Sequence, residues 1–490
     1  MNITPVSAKR KPAASNNDAV LNLSCYIAGN PIKSHNVLEV RSPYDNRLVG
    51  IVTLADAKDA NEAIEAGLKG GRKLNRYERY AVLEKARTIL MSRKEEIAQL
   101  ISAESGLAIR EARYEMGRAH DVLMFAAIEC LKDDGQIFSC DISPTGKARK
   151  IFTFREPLNL AVAITPFNHP LNQVVHKIAP AIACGTPVIL KPSEKTPLTA
   201  IRLTEILYEA GLPPHMLSVV LGPTNEVAEK LVKDDRIDLV SFTGSVAVGK
   251  RIAQTAGYKK VILELGGNDP LIILEDADVD TAVTLAAEGS FRNSGQRCTA
   301  VKRILVHEKI KDAFTKKFLE KVKDYSYGNP ADDDTKVGTV IDEHAAIYLE
   351  DVTKKAVEQG ATILSGGKRT GALLEPTVIT DVPRDAQMVM QESFGPLAPI
   401  LSFKDIDDAI ALSNSTAYGL SAGIVTNNMQ HAMRFIKELK VGTVNINEVP
   451  GYRIENSPFG GIKDSGLGIK EGVIEAMKCF SFIKTFSMPW

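Results

Sequence analysis

Residues 188–221 read VILKPSEKTPLTAIRLTEILYEAGLPPHMLSVVL, and their pattern decides the fold. Two short apolar runs, 188–190 and 217–221, flank a segment of helical character at 197–210, with a proline in its first turn and Gly211 where it stops. This is a strand-helix-strand unit. Similar runs recur at 160–165, 239–242 and 261–265, and units repeated at this spacing imply a parallel sheet covered by helices on both faces. A second alternating series follows Gly266 and Gly267, with runs at 271–274, 304–306, 399–403, 423–425 and 443–446. It predicts a second α/β domain. Upstream, from Asp56 to about Leu131, Val82, Ala86, Ile89, Leu90, Ile97, Leu100 and Ile101 recur at helical spacing and predict a helical layer. Segment 140–158 and the tail from about Cys479 to Trp490 are rich in Phe, Thr, Ile and Ser, and are expected to form strands outside either core, free to pair with another subunit.

The chain has 490 residues, enough for two to four domains at roughly 150 residues each. Sixty basic and 60 acidic side chains cancel, which argues against a nucleic-acid or polyanion binder. The longest uncharged stretch, 157–176, is broken by prolines, asparagines and histidines and cannot span a membrane. Lys9, Arg10 and Lys11 lack the apolar stretch of a secretory signal and read as a loose leader. The six cysteines are scattered without a CxxC pair, so neither a disulfide framework nor a metal cluster is expected, and a reducing cytoplasm fits.

Cys298 lies in the polar stretch Asn293-Ser294-Gly295-Gln296-Arg297-Cys298-Thr299-Ala300, with a cation just before the thiol. Nearby cations raise the thiolate fraction, which makes it the candidate nucleophile; the alternative is a packed structural cysteine. Glu264 ends an apolar run just before two glycines, at a sheet edge where α/β proteins place ligands. There it can act as a general base with a pKa raised by burial, or be a solvent-facing charge. Asn168 follows another run in a loop stiffened by two prolines, and its amide suits an oxyanion donor or a turn. The loop Gly244-Ser245 through Lys250 mimics a phosphate loop, but Arg251 replaces the hydroxyl that would hold magnesium. It can still present amides to a pyrophosphate. Lys191-Pro192-Ser193-Glu194 can hold ribose hydroxyls, and Glu194 would repel a 2′-phosphate, favouring NAD over NADP; the alternative is a solvated ion pair.

Pro166-Phe167-Asn168, Lys191-Pro192-Ser193-Glu194, Phe242-Thr243-Gly244-Ser245, Leu263-Glu264-Leu265-Gly266-Gly267, Gly295-Gln296-Arg297-Cys298, Glu392-Ser393-Phe394-Gly395-Pro396 and Pro458-Phe459-Gly460-Gly461 together resemble the aldehyde dehydrogenase superfamily, in its order and across nearly the whole chain. The resemblance implies an α/β fold in three parts: a variant Rossmann domain for NAD (1–138 and 159–267), an α/β catalytic domain (268–470), and a β oligomerisation hairpin (139–158 and 471–490) that builds a homodimer or homotetramer. By the same resemblance Cys298 attacks the aldehyde, Asn168 holds the oxyanion and Glu264 activates the hydrolytic water. Thr165, Pro166, Lys191, Ser193, Glu194, Gly244 and Ser245 bind the cofactor, and Glu392 and Phe394 position its nicotinamide riboside.

Residues 135–141, 146–152, 449–455 and 485–490, with Phe167-Asn168-His169-Pro170, are similar to one subgroup, the bacterial phosphonoacetaldehyde dehydrogenases. That similarity implies a substrate phosphonate held by Arg118, His169, Arg297 and Arg453, whose guanidinium forks suit such an anion. Phe167 and His169 depart from the tryptophan and bulky apolar residue usual in the broader family, which argues against a long-chain or aromatic aldehyde. Competing readings are another short anionic aldehyde (succinate semialdehyde, sulfoacetaldehyde or lactaldehyde), a coenzyme A-acylating variant, a catalytically silent binding protein, and a nucleotide-independent thiol hydrolase. Glu264 argues against coenzyme A, and the trio of Cys298, Asn168 and Glu264 argues against silence.

Overall fold

The computed structural model describes residues 20–490, so the basic leader around Lys9 lies outside the described residues. The helical layer comprises Ala57–Lys69, Arg76–Ser92, Lys94–Ser105 and Ile109–Glu129. Asp56 and Asn75 start the first two helices through reciprocal capping with Asp59 and Glu78, which satisfies amides that a helix leaves unpaired. Val82, Ala86, Leu90, Ile97, Leu100 and Ile101 are buried, with Ile89 packed partly against the same core, so the helical periodicity marked the inward face.

All five runs from 160 to 265 are strands, in the spatial order Lys260–Glu264, Leu239–Thr243, Ala161–Ile164, Val188–Lys191, Leu217–Val219, and every neighbouring pair is parallel. Ala161–Ile164, Val188–Lys191 and Leu239–Thr243 are buried throughout, as a sheet covered on both faces requires. The chain winds outward from 161–164 through 188–191 to 217–219, then returns to place 239–243 on the other side. The reversal opens a crevice at the carboxyl ends of 161–164 and 239–243, the place where doubly wound sheets hold ligands.

Two buried carboxylates complete this half. The helices Leu198–Glu209 and Asn172–Cys184 have no capping side chain of their own. Glu104 accepts hydrogen bonds from the Leu198 and Thr199 amides, and Glu115 from those of Leu171 and Asn172. Helix N-terminal amides favour an anion and offset part of the cost of burying these acids, although burial still pushes the Glu104 carboxyl up to about 7.

The second sheet contains the expected strands Pro270–Ile273, Arg303–His307, Leu397–Phe403, Ser421–Val425 and Thr443–Ile446, all parallel to their neighbours. It also contains Thr377–Thr380 and an antiparallel edge, Thr362–Ser365, that the apolar runs did not reveal. Both are four residues long and half polar, so they do not stand out from the surrounding loops. A third sheet pairs Arg149–Pro157 with Ser481–Pro489 over nine residues, and adds Ile137–Ser139. The expected strand over 140–158 therefore begins only at Arg149, because turns including Gly146 occupy 140–148. Val473–Cys479, read with the tail, is a helix whose Val473 and Ala476 pack into the core of the first sheet. Among the described residues no helix is long and apolar enough to cross a membrane.

Candidate active site

Residues 265–269 carry the chain from the end of Lys260–Glu264 into the second sheet. The loop bearing Cys298 enters that sheet too, at the amino end of Arg303–His307, so the nucleophile loop faces the carboxyl edge of the first sheet. Gly267 marks the contact, since a Cβ there would lie 2.2 Å from the Cys298 carbonyl oxygen. Three consecutive residues before Cys298 are left-handed, Asn293 (φ 56°), Ser294 (53°) and Gly295 (69°). For Asn and Ser this conformation is strained, and surrounding contacts hold it. Gly295 is obligatory because a Cβ would sit 2.0 Å from the Gly395 carbonyl oxygen. Asn293 Nδ2 donates to the Asn168 carbonyl (3.1 Å), and Asn168 Nδ2 donates to the Gln296 carbonyl (2.8 Å). Asn168 is thus locked against the nucleophile loop rather than serving only as a turn. Among the described residues the Cys298 N–H has no hydrogen-bond partner.

Burial pushes the Cys298 thiol up to about 11, while Lys302 and Arg453 pull the other way. Cys298 is therefore a thiol at neutral pH in the resting protein, and reaction requires that its proton be removed. Lys302 Nζ also donates to the Arg297 carbonyl (2.5 Å) and pairs with Glu392 (3.3 Å).

Glu264 is 4% exposed, which rules out the solvent-facing alternative, and among the described residues neither carboxyl oxygen has a hydrogen-bond partner. Burial and the nearby Glu471 raise its pKa well above the ordinary value, against the pull of Lys177, Arg453 and Lys470. Glu471 is itself tied to Lys177 (2.7 Å), whose Nζ also donates to Ser241 (2.9 Å). A Cβ at Gly460 would come within 2.7 Å of Glu264 Oε1, so the glycine leaves room for the carboxyl.

The four residues expected to hold an anion share one neighbourhood. Arg453 lies close enough to Arg118, Cys298 and Glu264 for their charges to act on it, and His169 senses Arg118 and Arg297. Their commitments differ. Arg118 forks onto Glu455 through Nε (2.5 Å) and Nη2 (3.2 Å), and the second oxygen of Glu455 also meets His176 Nε2 (2.5 Å). Burial opposes the Glu455 charge, but His176 and Arg118 outweigh it and hold the carboxyl below the usual range. Arg297 turns its Nη2 to the Glu288 and Gly289 carbonyls (3.3 and 2.7 Å) and keeps a buried, unpaired Nε. His169 Nδ1 lies 3.7 Å from Glu115 Oε2, and among the described residues neither atom has a hydrogen-bond partner. Arg453 stacks over Phe459 at 3.8 Å and makes no ion pair among the described residues, so its guanidinium edge is available.

At the crevice of the first sheet Thr165 and Pro166 follow one strand, and Gly244 and Ser245 follow its neighbour. Ser245 caps the helix Val246–Thr255, accepting from Val248 N (3.4 Å). The hydroxyls of Thr165 and Thr243 are buried without partners among the described residues, the condition expected where a polar ligand completes a site, and the crevice fits a dinucleotide. Lys191 ends its strand and is ion-paired with Glu194, while the Ser193 hydroxyl accepts from Lys195 N (3.2 Å). Lys250, the lysine of the phosphate-loop mimic, instead pairs with Asp464 (2.8 Å). Glu392 Oε1 accepts from Gly267 N (3.2 Å), and Phe394, at φ 55°, sets its ring edge-on to Phe167 at 5.9 Å.

Sequence reading missed Asn293, Lys302, Glu115, His176 and Glu455. Asn293 was marked by the turn-forming Asn-Ser-Gly composition, whereas the others carry no local signal.

The family model described as the aldehyde dehydrogenase family matches residues 31–486. The 3-sulfolactaldehyde dehydrogenase of Priestia aryabhattai is 40% identical over 449 residues, 91% of this chain and 94% of that one. The crystal structure of aldehyde dehydrogenase 21 from Physcomitrella patens with the reaction product succinate superposes with a TM-score of 0.93 at 37% identity, covering 96% of this chain and 99% of that one. The glyceraldehyde-3-phosphate dehydrogenase of Methanocaldococcus jannaschii, complexed with NADP, superposes at 0.89 and 37% identity, covering 94% and 100%.

Proposed function

The chain belongs to the aldehyde dehydrogenase family of nicotinamide-dependent oxidoreductases, and we propose that it oxidises phosphonoacetaldehyde to phosphonoacetate in phosphonate breakdown, with NAD rather than NADP. The observation that carries this reading is Arg453, a half-buried guanidinium that makes no ion pair among the described residues, close to both the thiol and the buried acid. A buried cation left unpaired is costly, and an anionic substrate offsets that cost on binding. Arg118 and Arg297 add positive charge in the same neighbourhood, while burial holds His169 toward its neutral form, where it offers a hydrogen bond rather than a charge.

In this reading Cys298 gives its proton to solvent water and its Sγ bonds to the aldehyde carbon. The carbonyl oxygen becomes an oxyanion, held by the Cys298 N–H and by the second Nδ2 hydrogen of Asn168, whose first is on the Gln296 carbonyl. When bound, the nicotinamide supplies the acceptor for the hydride that leaves this carbon. What remains on Cys298 is a thioester, and Glu264 takes a proton from the water that hydrolyses it. Thr165, Pro166, Lys191, Ser193, Glu194, Gly244 and Ser245 would hold the cofactor, with Glu392 and Phe394 at its nicotinamide end. Because Glu264 is pushed above the ordinary carboxylate range, it is ionised only as pH rises, so thioester hydrolysis quickens on the alkaline side.

The test is stoichiometry. The protein should form one NADH and one phosphonoacetate per aldehyde without an added thiol, and Glu264→Gln should give one burst of NADH followed by turnover slowed about 10²–10⁴-fold. Product formation only with coenzyme A would overturn the hydrolytic step, and a variant without a burst would remove Glu264 from it.

A second reading keeps the chemistry and changes the anion. The 3-sulfolactaldehyde relative favours a sulfonate; succinate semialdehyde and sulfoacetaldehyde are anions that remain short enough, and lactaldehyde is an equally short but uncharged alternative. We also propose the three-part division into cofactor, catalytic and oligomerisation segments. Ile137, Phe138, Phe482, Ile483, Phe486, Met488 and Trp490 are exposed on the third sheet, and covering them in a homodimer or homotetramer would bury that apolar surface. The six unpaired cysteines accord with a reducing cytoplasm.

A further inference from the structure

The residue that stands apart beside this cluster is Asn172. Its side chain is fully buried, and among the described residues neither Oδ1 nor Nδ2 has a partner, although its backbone N–H is taken by Glu115 (2.7 Å). Leaving both ends of an amide unpaired in an interior is costly, so such a group marks a place that something polar completes.

The surroundings say where the amide lies. Asn172 and His176 are four residues apart on the helix Asn172–Cys184 and share one face. His176 meets Glu455, which grips Arg118, and Arg118 is one turn along its helix from Glu115, the acid that binds the Asn172 backbone. Asn172 is therefore bracketed by the residues that support the arginines. The other unpaired buried atoms nearby are His169 Nδ1, Glu115 Oε2 and Arg297 Nε.

Resting on the anionic-aldehyde reading above, we propose that Asn172 is a specificity-determining residue whose amide pairs with a group of the substrate that presents both an O–H and an oxygen acceptor. The arginines offer only donors. Asn172 Oδ1 receives a hydrogen from none of these arginines or any other described residue, so it is satisfied only if the ligand brings a hydrogen to it, while Nδ2 donates to an adjacent oxygen. Two sources share this chemistry. A phosphonate keeps one acid proton near neutrality, and a 2-hydroxyaldehyde carries a carbinol O–H. A sulfonate has three acceptors and no hydrogen, so it leaves Oδ1 unpaired.

The experiment compares kcat/KM of the wild type, Asn172→Leu and Asn172→Ala on phosphonoacetaldehyde, lactaldehyde, sulfoacetaldehyde and acetaldehyde. Both variants should lose about ten- to a hundredfold on phosphonoacetaldehyde if the acid O–H is read, or on lactaldehyde if the carbinol is, with the other two aldehydes within about threefold. Retained acetaldehyde turnover shows that the variants fold. Equal losses on all four aldehydes, no loss on any, or a loss on sulfoacetaldehyde matching that on phosphonoacetaldehyde would each overturn the assignment. A wild type with no preference for anions would instead overturn the substrate reading, and the lactaldehyde comparison would still decide on Asn172.

Discussion

Cys298→Ala should lower NADH formation by about four orders of magnitude or more, while binding of the dinucleotide stays within about twofold of wild type. The expectation follows from geometry more than from reactivity. The thiol is half-buried and desolvation pushes it up to about 11, so nothing in the resting site activates it strongly. Its claim rests on the loop that presents it: three left-handed residues, a glycine jammed against the Gly395 carbonyl, and Asn168 locked to Gln296 beside it. Removing Sγ deletes the only atom of that loop able to form the covalent intermediate, and the crevice beside Thr165 and Thr243 is left untouched. Nucleotide binding by titration and NADH release by absorbance separate the two effects. Normal turnover by the alanine variant would move the nucleophile elsewhere.

Arg453→Ala should reduce kcat/KM for phosphonoacetaldehyde by about a hundredfold, from the loss of a charge-assisted hydrogen bond of roughly 1.5–3 kcal/mol. For acetaldehyde the change should stay within about threefold, because that substrate has no group for the guanidinium to meet. Most of the anionic loss should appear in KM if the contact is equally strong before and during reaction. Arg453→Lys keeps the charge but not the fork or the stack on Phe459, and should recover only part of the loss. Equal effects on both aldehydes would show that Arg453 supports the pocket rather than reading its ligand.

The legible part of this protein was the part built from local pattern. Strands such as Ala161–Ile164 and Val188–Lys191 are buried on both faces, so they announce themselves as unbroken apolar runs. Thr362–Ser365 and Thr377–Thr380 are as short but half polar, and tertiary pairing rather than composition makes them strands. Cys298, Glu264 and Asn168 were visible because each sits in a polar or glycine-rich break at the end of an apolar segment. Their supports were not, since Glu455 meets Arg118 across 337 positions and Lys177 meets Glu471 across 294. Arg297 shows the limit from the other side. It precedes the nucleophile directly, yet its guanidinium turns back to the Glu288 and Gly289 carbonyls, because neighbours in a loop need not point together.

The most direct measurement is NADH formation by the wild type on phosphonoacetaldehyde, sulfoacetaldehyde, succinate semialdehyde and acetaldehyde under identical conditions, compared as kcat/KM. The account predicts a preference for phosphonoacetaldehyde of about tenfold or more over the other anions, and larger still over acetaldehyde. A flat profile, or a preference for the carboxylate or sulfonate, would contradict the proposed substrate and leave the aldehyde dehydrogenase chemistry standing.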